Sequence, residues 1–414
     1  MNHDAALKQP LSNNLPNLSG LPVMVRFFVT RLHKAGTSTL NLKLSNGELI
    51  QLGQPRDNLT VGAPTLEIIN YRAFFRASIS GMMGWAEGYM AGDWTTPNLI
   101  QLTEWAATNE RALKQAFKGS FLSKIANNFW HWSRNNSLAG SRRNIAYHYD
   151  LGNNFYQLWL DETMTYSSAL FETPSLTLAQ AQEAKYQKIL ALSDISPTHR
   201  LLEVGCGWGG LADIAAQTPG LQYRGITLSK EQLVWAKERV AHYDQSQRIN
   251  LEYCDYRNIE GQYDRIISIE MFEAVGEEHW DEYFQMLNDT LTPGGNAVLQ
   301  IICIAEERFE HYRTHADFIQ RYIFPGGMLP SVAKIESLSR KHRLSLDETV
   351  SFGQDYATTL KLWRERFIDA WPKIANMGYD ERFRKMWEYY LAYCESGFRH
   401  KALDVLLFKI NKPV

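Results

Sequence analysis

Cysteine is scarce: 414 residues hold four, Cys206, Cys254, Cys303 and Cys394, far apart and without a Cys-x-x-Cys pair. That excludes a disulfide framework and argues against a zinc site. Net charge is also low, since 43 basic residues nearly balance 45 acidic ones to leave −2, and nothing global points to nucleic acid. No apolar run approaches a membrane span in length, and the polar start from Met1 to Pro10 lacks the hydrophobic core of a signal peptide. A cytoplasmic protein is expected. Internal repeats and low-complexity blocks are missing too. What is present, 45% hydrophobic and 21% charged residues, is ordinary globular composition at a length sufficient for two domains.

One absence is local. Between Arg111 and Tyr149 there is no Asp or Glu, while Arg111, Lys114, Lys118, Lys124, Arg134, Arg142 and Arg143 alternate with Phe117, Phe121, Phe129, Trp130 and Trp132. Such a segment suits a helix lying on an anionic bilayer, where each basic residue contributes about 1 kcal/mol. It also suits a linker helix whose aromatics pack on its own domain. The missing acids favour the membrane.

The densest signal is Leu201-Leu-Glu-Val-Gly-Cys-Gly-Trp-Gly-Gly210, an apolar strand that runs into a glycine-rich turn and then the helical pattern Leu211 to Ala216. Gly205, Gly207 and Gly209 let a ligand approach the backbone with no Cβ in the way. The spacing is not the dinucleotide fingerprint, because Glu203 precedes Gly-x-Gly-x-Gly rather than Gly-x-Gly-x-x-Gly. Instead it looks like the first motif of S-adenosylmethionine-dependent methyltransferases. Further strands follow at Tyr223–Ser229, at a run ending in Cys254-Asp255-Tyr256, and at Tyr263–Met271, with a helix expected from Lys230 to Tyr243. Alternating strands and helices imply a largely parallel sheet with ligands at the strand carboxyl ends. On that logic Gly205, Gly207 and Gly209 hold the methionine end of the cofactor, Thr227, Leu228 and Gln232 lie near the ribose, and Asp255 with Tyr256 near the adenine. Asp255 serves equally well as a helix N-cap.

Upstream, strands are expected at Val25–Thr30 and Thr39–Leu44 and a helical stretch at Tyr71–Ala91. The domain plan is a poorly ordered 1–17, a mixed α+β lipid- and membrane-associated domain over 18–116, a basic aromatic linker over 117–143, and a catalytic domain over 144–414.

Six ordered motifs now join: Asn144 to Asp161, Met164 to Phe171, Leu201 to Gly210, Gly225 to Lys230, Glu270-Met-Phe-Glu-Ala-Val-Gly276, and Phe324-Pro-Gly-Gly-Met-Leu-Pro-Ser331. Together with Gly88–Trp94 and Tyr389–Phe398, they closely resemble the cyclopropane-fatty-acyl-phospholipid synthase family over nearly the whole chain. The resemblance implies an α/β fold, a Rossmann-like class I methyltransferase domain with a mostly parallel sheet behind the smaller N-terminal domain. It implies methyl transfer from S-adenosylmethionine to a cis double bond of a phospholipid acyl chain. The resulting carbocation closes to a cyclopropane when the new methyl loses a proton. Expected partners are unsaturated phospholipids and the anionic inner face of the membrane; a homodimer is admitted but fixed by no residue pattern.

Such a site must steady a cation and supply a base. Tyr166, Phe171, Phe272, Tyr322 and Tyr390 are the available rings. In the family, the base implied is a bound bicarbonate, and its ligands fall here on Glu273, Tyr390 and the Ile302 backbone, while Tyr166 and Ser167 fall beside the cofactor. Two positions depart from the pattern: Ser168 stands for a cysteine and Gln300 for a histidine. Both can still donate hydrogen bonds to an anion, but neither titrates near neutral pH. A methyl-branched or methylene product is the alternative outcome. Glu273 could instead cap a helix, Tyr390 could simply be packed, and His148 is given no catalytic role. A small-molecule N-methyltransferase and a lipid-binding protein without chemistry are the competing readings. The N-terminal domain and basic segment argue against the first, Glu203 and the intact glycine turn against the second.

Overall fold

A computed structural model describes residues 18, 20–54, 62–116, 151–243 and 248–414, which form two compact units, 1–123 and 124–414. The linker expected at 117–143, the 1–17 segment and His148 lie outside the described residues.

In the first unit the strand expected at Val25–Thr30 is instead part of a helix, Val23–Ala35. Its β-branched and aromatic residues suggest a strand, but the buried ones, Val25, Phe28, Val29 and Leu32, recur with helical period. Gly36 ends the helix in the left-handed conformation. The sheet beside it, ordered β2-β1-β3-β4, comprises β1 (Leu40–Lys43), β2 (Leu49–Leu52), β3 (Thr65–Ile68) and β4 (Trp94–Thr95). The second helix, Arg72–Met90, is broken at Gly81, and its Phe74 meets Phe28 with ring centroids 4.8 Å apart. The Gly88–Trp94 motif proves structural: Asp93 is buried against Arg72 and Arg76, and the Trp94 indole donates to the Trp85 carbonyl.

The second unit is built on seven strands: β5 (Arg200–Val204), β6 (Gln222–Thr227), β7 (Ile249–Tyr253), β8 (Tyr263–Ile269), β9 (Leu291–Ile304), β10 (Ser345–Ser351) and β11 (Leu403–Asn411). Their order is β10-β11-β9-β8-β5-β6-β7. Pairs from β7 through β9 are parallel, and only β11 runs antiparallel to its neighbours β9 and β10. The core sits between this sheet and amphipathic helices: Trp280, Tyr283, Phe284 and Leu287 of Trp280–Thr290, with Ile335 and Leu338 of Val332–Lys341, pack on Val204, Ile266, Leu299 and Phe408. The chain leaves β5 on one side toward β6 and β7 and returns on the other as β8. The strand order thus reverses beside β5 while the strands stay parallel, the topology at which a crevice forms at the carboxyl ends.

Candidate active site

The three glycines after β5 all have positive φ, 91° at Gly205, 52° at Gly207 and 79° at Gly209, but for different reasons. A Cβ at Gly205 would stand 3.0 Å from the Met271 side chain and one at Gly209 2.9 Å from Ala236 Cβ, whereas one at Gly207 meets nothing within 4 Å. Packing therefore demands two of them, while the third leaves bare backbone facing open space. Glu203, buried just before the turn, accepts a hydrogen bond from the Tyr223 hydroxyl, and burial pushes its carboxyl up to about 7. The turn is also tied forward, since the Trp208 indole donates to Asn153 Oδ1 at 2.7 Å.

At the end of β6, the Thr227 hydroxyl donates to Gln232 Oε1 at 3.1 Å and accepts from the Ser229 N–H at 3.1 Å, with half-buried Leu228 between them. After β7, Asp255 caps the short 3-10 turn Tyr256–Asn258 and accepts two guanidinium bonds from Arg257, each 2.8 Å. The capping role open from the sequence is real. Tyr256 packs 5.3 Å from Tyr283, and its enclosed hydroxyl has no hydrogen-bond partner among the described residues.

Beyond β8 stands a carboxylate that sequence reasoning left without a role. Glu270, with φ 48°, accepts from the Ser168 N–H and the Gln300 side-chain amide on Oε1, both at 2.8 Å, and from the Tyr356 hydroxyl on Oε2 at 2.7 Å. Burial raises its pKa, and these bonds oppose the rise. Three residues on, Glu273 Oε1 accepts from the Ile302 N–H at 2.5 Å, while Oε2 is enclosed without a partner among the described residues. Burial, then the charge of Glu270, push Glu273 up to about 8. Ser168 and Gln300 are thus brought together around Glu270; the Ser168 hydroxyl donates to the Ala169 carbonyl and the Gln300 amide also reaches the Ser168 carbonyl at 3.4 Å.

Tyr166 and Tyr390 share a hydroxyl–hydroxyl hydrogen bond of 2.8 Å. Around the pair stand Trp363, 5.2 Å from the Tyr166 ring, and Phe324, 6.3 Å from that of Tyr390. Of the other expected rings, Phe272 is committed to the core with Trp280 and Phe284, and Tyr322 packs on Phe318. Ser167 lies one residue away from the pair, where its hydroxyl accepts from the buried Lys185 at 2.6 Å. Burial lowers Lys185 to about 7, against the attraction of Glu270, Asp161 and Glu203.

Sequence reasoning missed Glu270, Lys185 and Tyr356. Glu270 had a signal, an acid closing the apolar strand Tyr263–Ile269. So did Lys185, which falls on the buried stripe Leu178, Ala181, Gln182, Tyr186, Ile189 of the helix Leu178–Leu192. Tyr356 had none, being one aromatic among many in the helix Gly353–Ala375.

Residues 136–408 match the family model described as mycolic acid cyclopropane synthetase. The tuberculostearic acid methyltransferase UfaA1 of Mycobacterium tuberculosis is 39% identical over 88% of this chain and 86% of its own length. The cyclopropane-fatty-acyl-phospholipid synthase of Escherichia coli K12 is 35% identical over 83% of this chain and 86% of its own. Among solved structures, the mycolic acid cyclopropane synthase CmaA1 complexed with SAH and CTAB is 30% identical, covers 66% of this chain and 98% of its own, and superposes with a TM-score of 0.62.

Proposed function

This chain belongs to the mycolic acid cyclopropane synthetase family of S-adenosylmethionine-dependent lipid methyltransferases, and from that premise we propose that it methylates the cis double bond of an unsaturated phospholipid acyl chain and closes a cyclopropane ring. The observation that carries this reading is the enclosure of two carboxylates, Glu270 and Glu273, in the unit that also holds the Tyr166–Tyr390 pair, with Tyr356 bonded to Glu270 and packed on Trp363. An alkene acceptor needs those two features together: negative charge and aromatic faces for a developing cation, and little water to quench it.

S-adenosylmethionine, when bound, supplies the electrophilic methyl group. The chain's residues fit it: the open backbone at Gly207, between Gly205 and Gly209 and beside Glu203, takes the methionine end. Thr227, Leu228 and Gln232 take the ribose, Asp255 and Tyr256 the adenine, and Tyr166 and Ser167 border the reacting end. The pinned Thr227–Gln232 pair and the partnerless Tyr256 hydroxyl suit polar ligand edges.

A second reading, a methylene-bearing or methyl-branched product, is favoured by a specific observation. Gln300, one of the two departures from the expected pattern, spends its side-chain amide on Glu270, and the hydroxyl of the other, Ser168, turns to the Ala169 carbonyl. The 39% identical relative named for tuberculostearic acid points the same way. Incubating the protein with unsaturated phospholipid vesicles and methyl-labelled cofactor, then recording proton spectra of the acyl chains, separates the outcomes. Ring protons identify the cyclopropane and vinyl protons the methylene. No label in lipid would reject both.

A further inference from the structure

The groups that the family resemblance assigns to bicarbonate are already engaged inside this chain. The Ile302 N–H donates to Glu273, the Gln300 amide and the Ser168 N–H to Glu270, the Ser168 hydroxyl to the Ala169 carbonyl, and the Tyr390 hydroxyl is bonded to Tyr166. An added anion would find the Ile302, Ser168 and Gln300 donors engaged, one hydroxyl proton at most left by the Tyr166–Tyr390 pair, and two buried carboxyl groups beside it. Like charges in a poorly solvated site repel strongly. Bicarbonate does not fit this arrangement.

We propose that Glu273 replaces it as the base, with Oε2 as the accepting atom. This rests on the reading of the chain as an alkene methyltransferase. A C–H bond of the newly attached methyl group breaks, its proton passes to Glu273 Oε2, and its electron pair forms the new bond to the cationic carbon. That bond closes the ring when the cation lies on the far alkene carbon. It forms a methylene double bond on the open chain when a hydride shift has first moved the cation to the carbon that bears the methyl. The same residue therefore serves either product, and the protonated carboxyl returns its proton to solvent between turnovers.

Three features fit Glu273 to the role. Its Oε1 is anchored by the Ile302 N–H, while Oε2 is enclosed and without a partner among the described residues. Its carbonyl accepts the Met328 N–H at 2.8 Å, which ties it to the Phe324–Met328 loop whose Phe324 packs on Tyr166 and Tyr390. Burial and the neighbouring Glu270 also raise its basicity toward the working pH, as a proton acceptor requires. Glu270, held by Ser168, Gln300 and Tyr356, is a positioning residue that sets this basicity.

The test uses the full chain in buffers stripped of carbon dioxide, with and without added bicarbonate, and follows labelled methyl entering phospholipid. Turnover should change less than about twofold, whereas Glu273→Gln, of nearly the same shape, should lower it by about a hundredfold or more in both buffers. A loss of about tenfold on stripping that bicarbonate restores would overturn the proposal. So would a Glu273→Gln variant with native turnover. A second arm needs no turnover: carbon-13 bicarbonate titrated into the S-adenosylhomocysteine-loaded protein should show no saturable bound signal. A saturable signal removed by Glu273→Gln would overturn the idea even if no lipid offered were methylated, while absence of label from every lipid would count against the methyltransferase reading alone.

Discussion

The Gln300 amide and the Ser168 N–H converge on one oxygen, Glu270 Oε1, each at 2.8 Å. At the two positions where the chain departs from its family's expected cysteine and histidine, Gln300 therefore reaches the carboxylate through its side chain, whereas Ser168 reaches it through its backbone and turns its hydroxyl to the Ala169 carbonyl.

Removing one arm should weaken the fold. Gln300→Leu takes a donor from a buried carboxyl and should lower stability by about 1.5–3 kcal/mol, while Ser168→Cys keeps the backbone N–H and should change it by less than about 1 kcal/mol. Denaturant titrations measure both. If the wild-type product is mixed, the double variant Ser168→Cys, Gln300→His should raise its cyclopropane fraction in acyl-chain spectra.

The glycines of the turn should separate binding from folding. Gly207→Val projects into open space and should weaken S-adenosylhomocysteine binding by at least about tenfold, with backbone strain of only about 1–2 kcal/mol. Gly209→Val runs into Ala236 and should instead depress the melting temperature most. Calorimetry and thermal melts on both variants check the contrast.

Buried carboxyl groups make stability depend on pH. Glu203 and Glu273 rise from 4.5 to about 7 and about 8, so the folded chain keeps protons that the unfolded chain releases. Their contribution is complete below pH 4.5 and is lost as pH climbs through those folded values. Lys185, lowered from 10.5 to about 7, imposes a penalty below that value that is relieved at higher pH. The melting temperature of the ligand-free protein should fall between pH 5 and 7, level off between 7 and 8 where Glu273 and Lys185 oppose each other, and recover above 8 as the Lys185 penalty is relieved. Glu203→Gln should flatten the fall.

The basic segment should bind membranes through charge. Association with anionic vesicles is expected to weaken with salt and on replacing Lys118 and Lys124 by Gln, each worth about 1 kcal/mol. Lys114, which pairs with Glu110 at 2.7 Å, should contribute less. Vesicle sedimentation across a salt series decides between docking and a mere linker.

The parallel sheet and the glycine turn were legible because their signals are local: strand, turn and helix follow one another in a few residues. Val25–Thr30 was misread because six residues hold both a strand composition and a helical stripe, and only neighbours such as Phe74 settle which is used. The Glu270 cluster joins Ser168, Gln300 and Tyr356 from three distant segments, a convergence no spacing announces. Tyr166 and Tyr390 were each singled out; that they touch is a property of the fold alone.

Because β11 lies between β9 and β10, the sheet cannot be completed in the order in which it is synthesised. Both flanking strands leave the ribosome well before the strand that joins them, and β9, apolar along much of its length, must wait with one edge unpaired. Such an edge invites pairing with another nascent chain. Slow translation or a shortage of chaperones should therefore harm production of this protein before any substitution in its active site does, and fusions that delay release of residues 403–411 should aggregate.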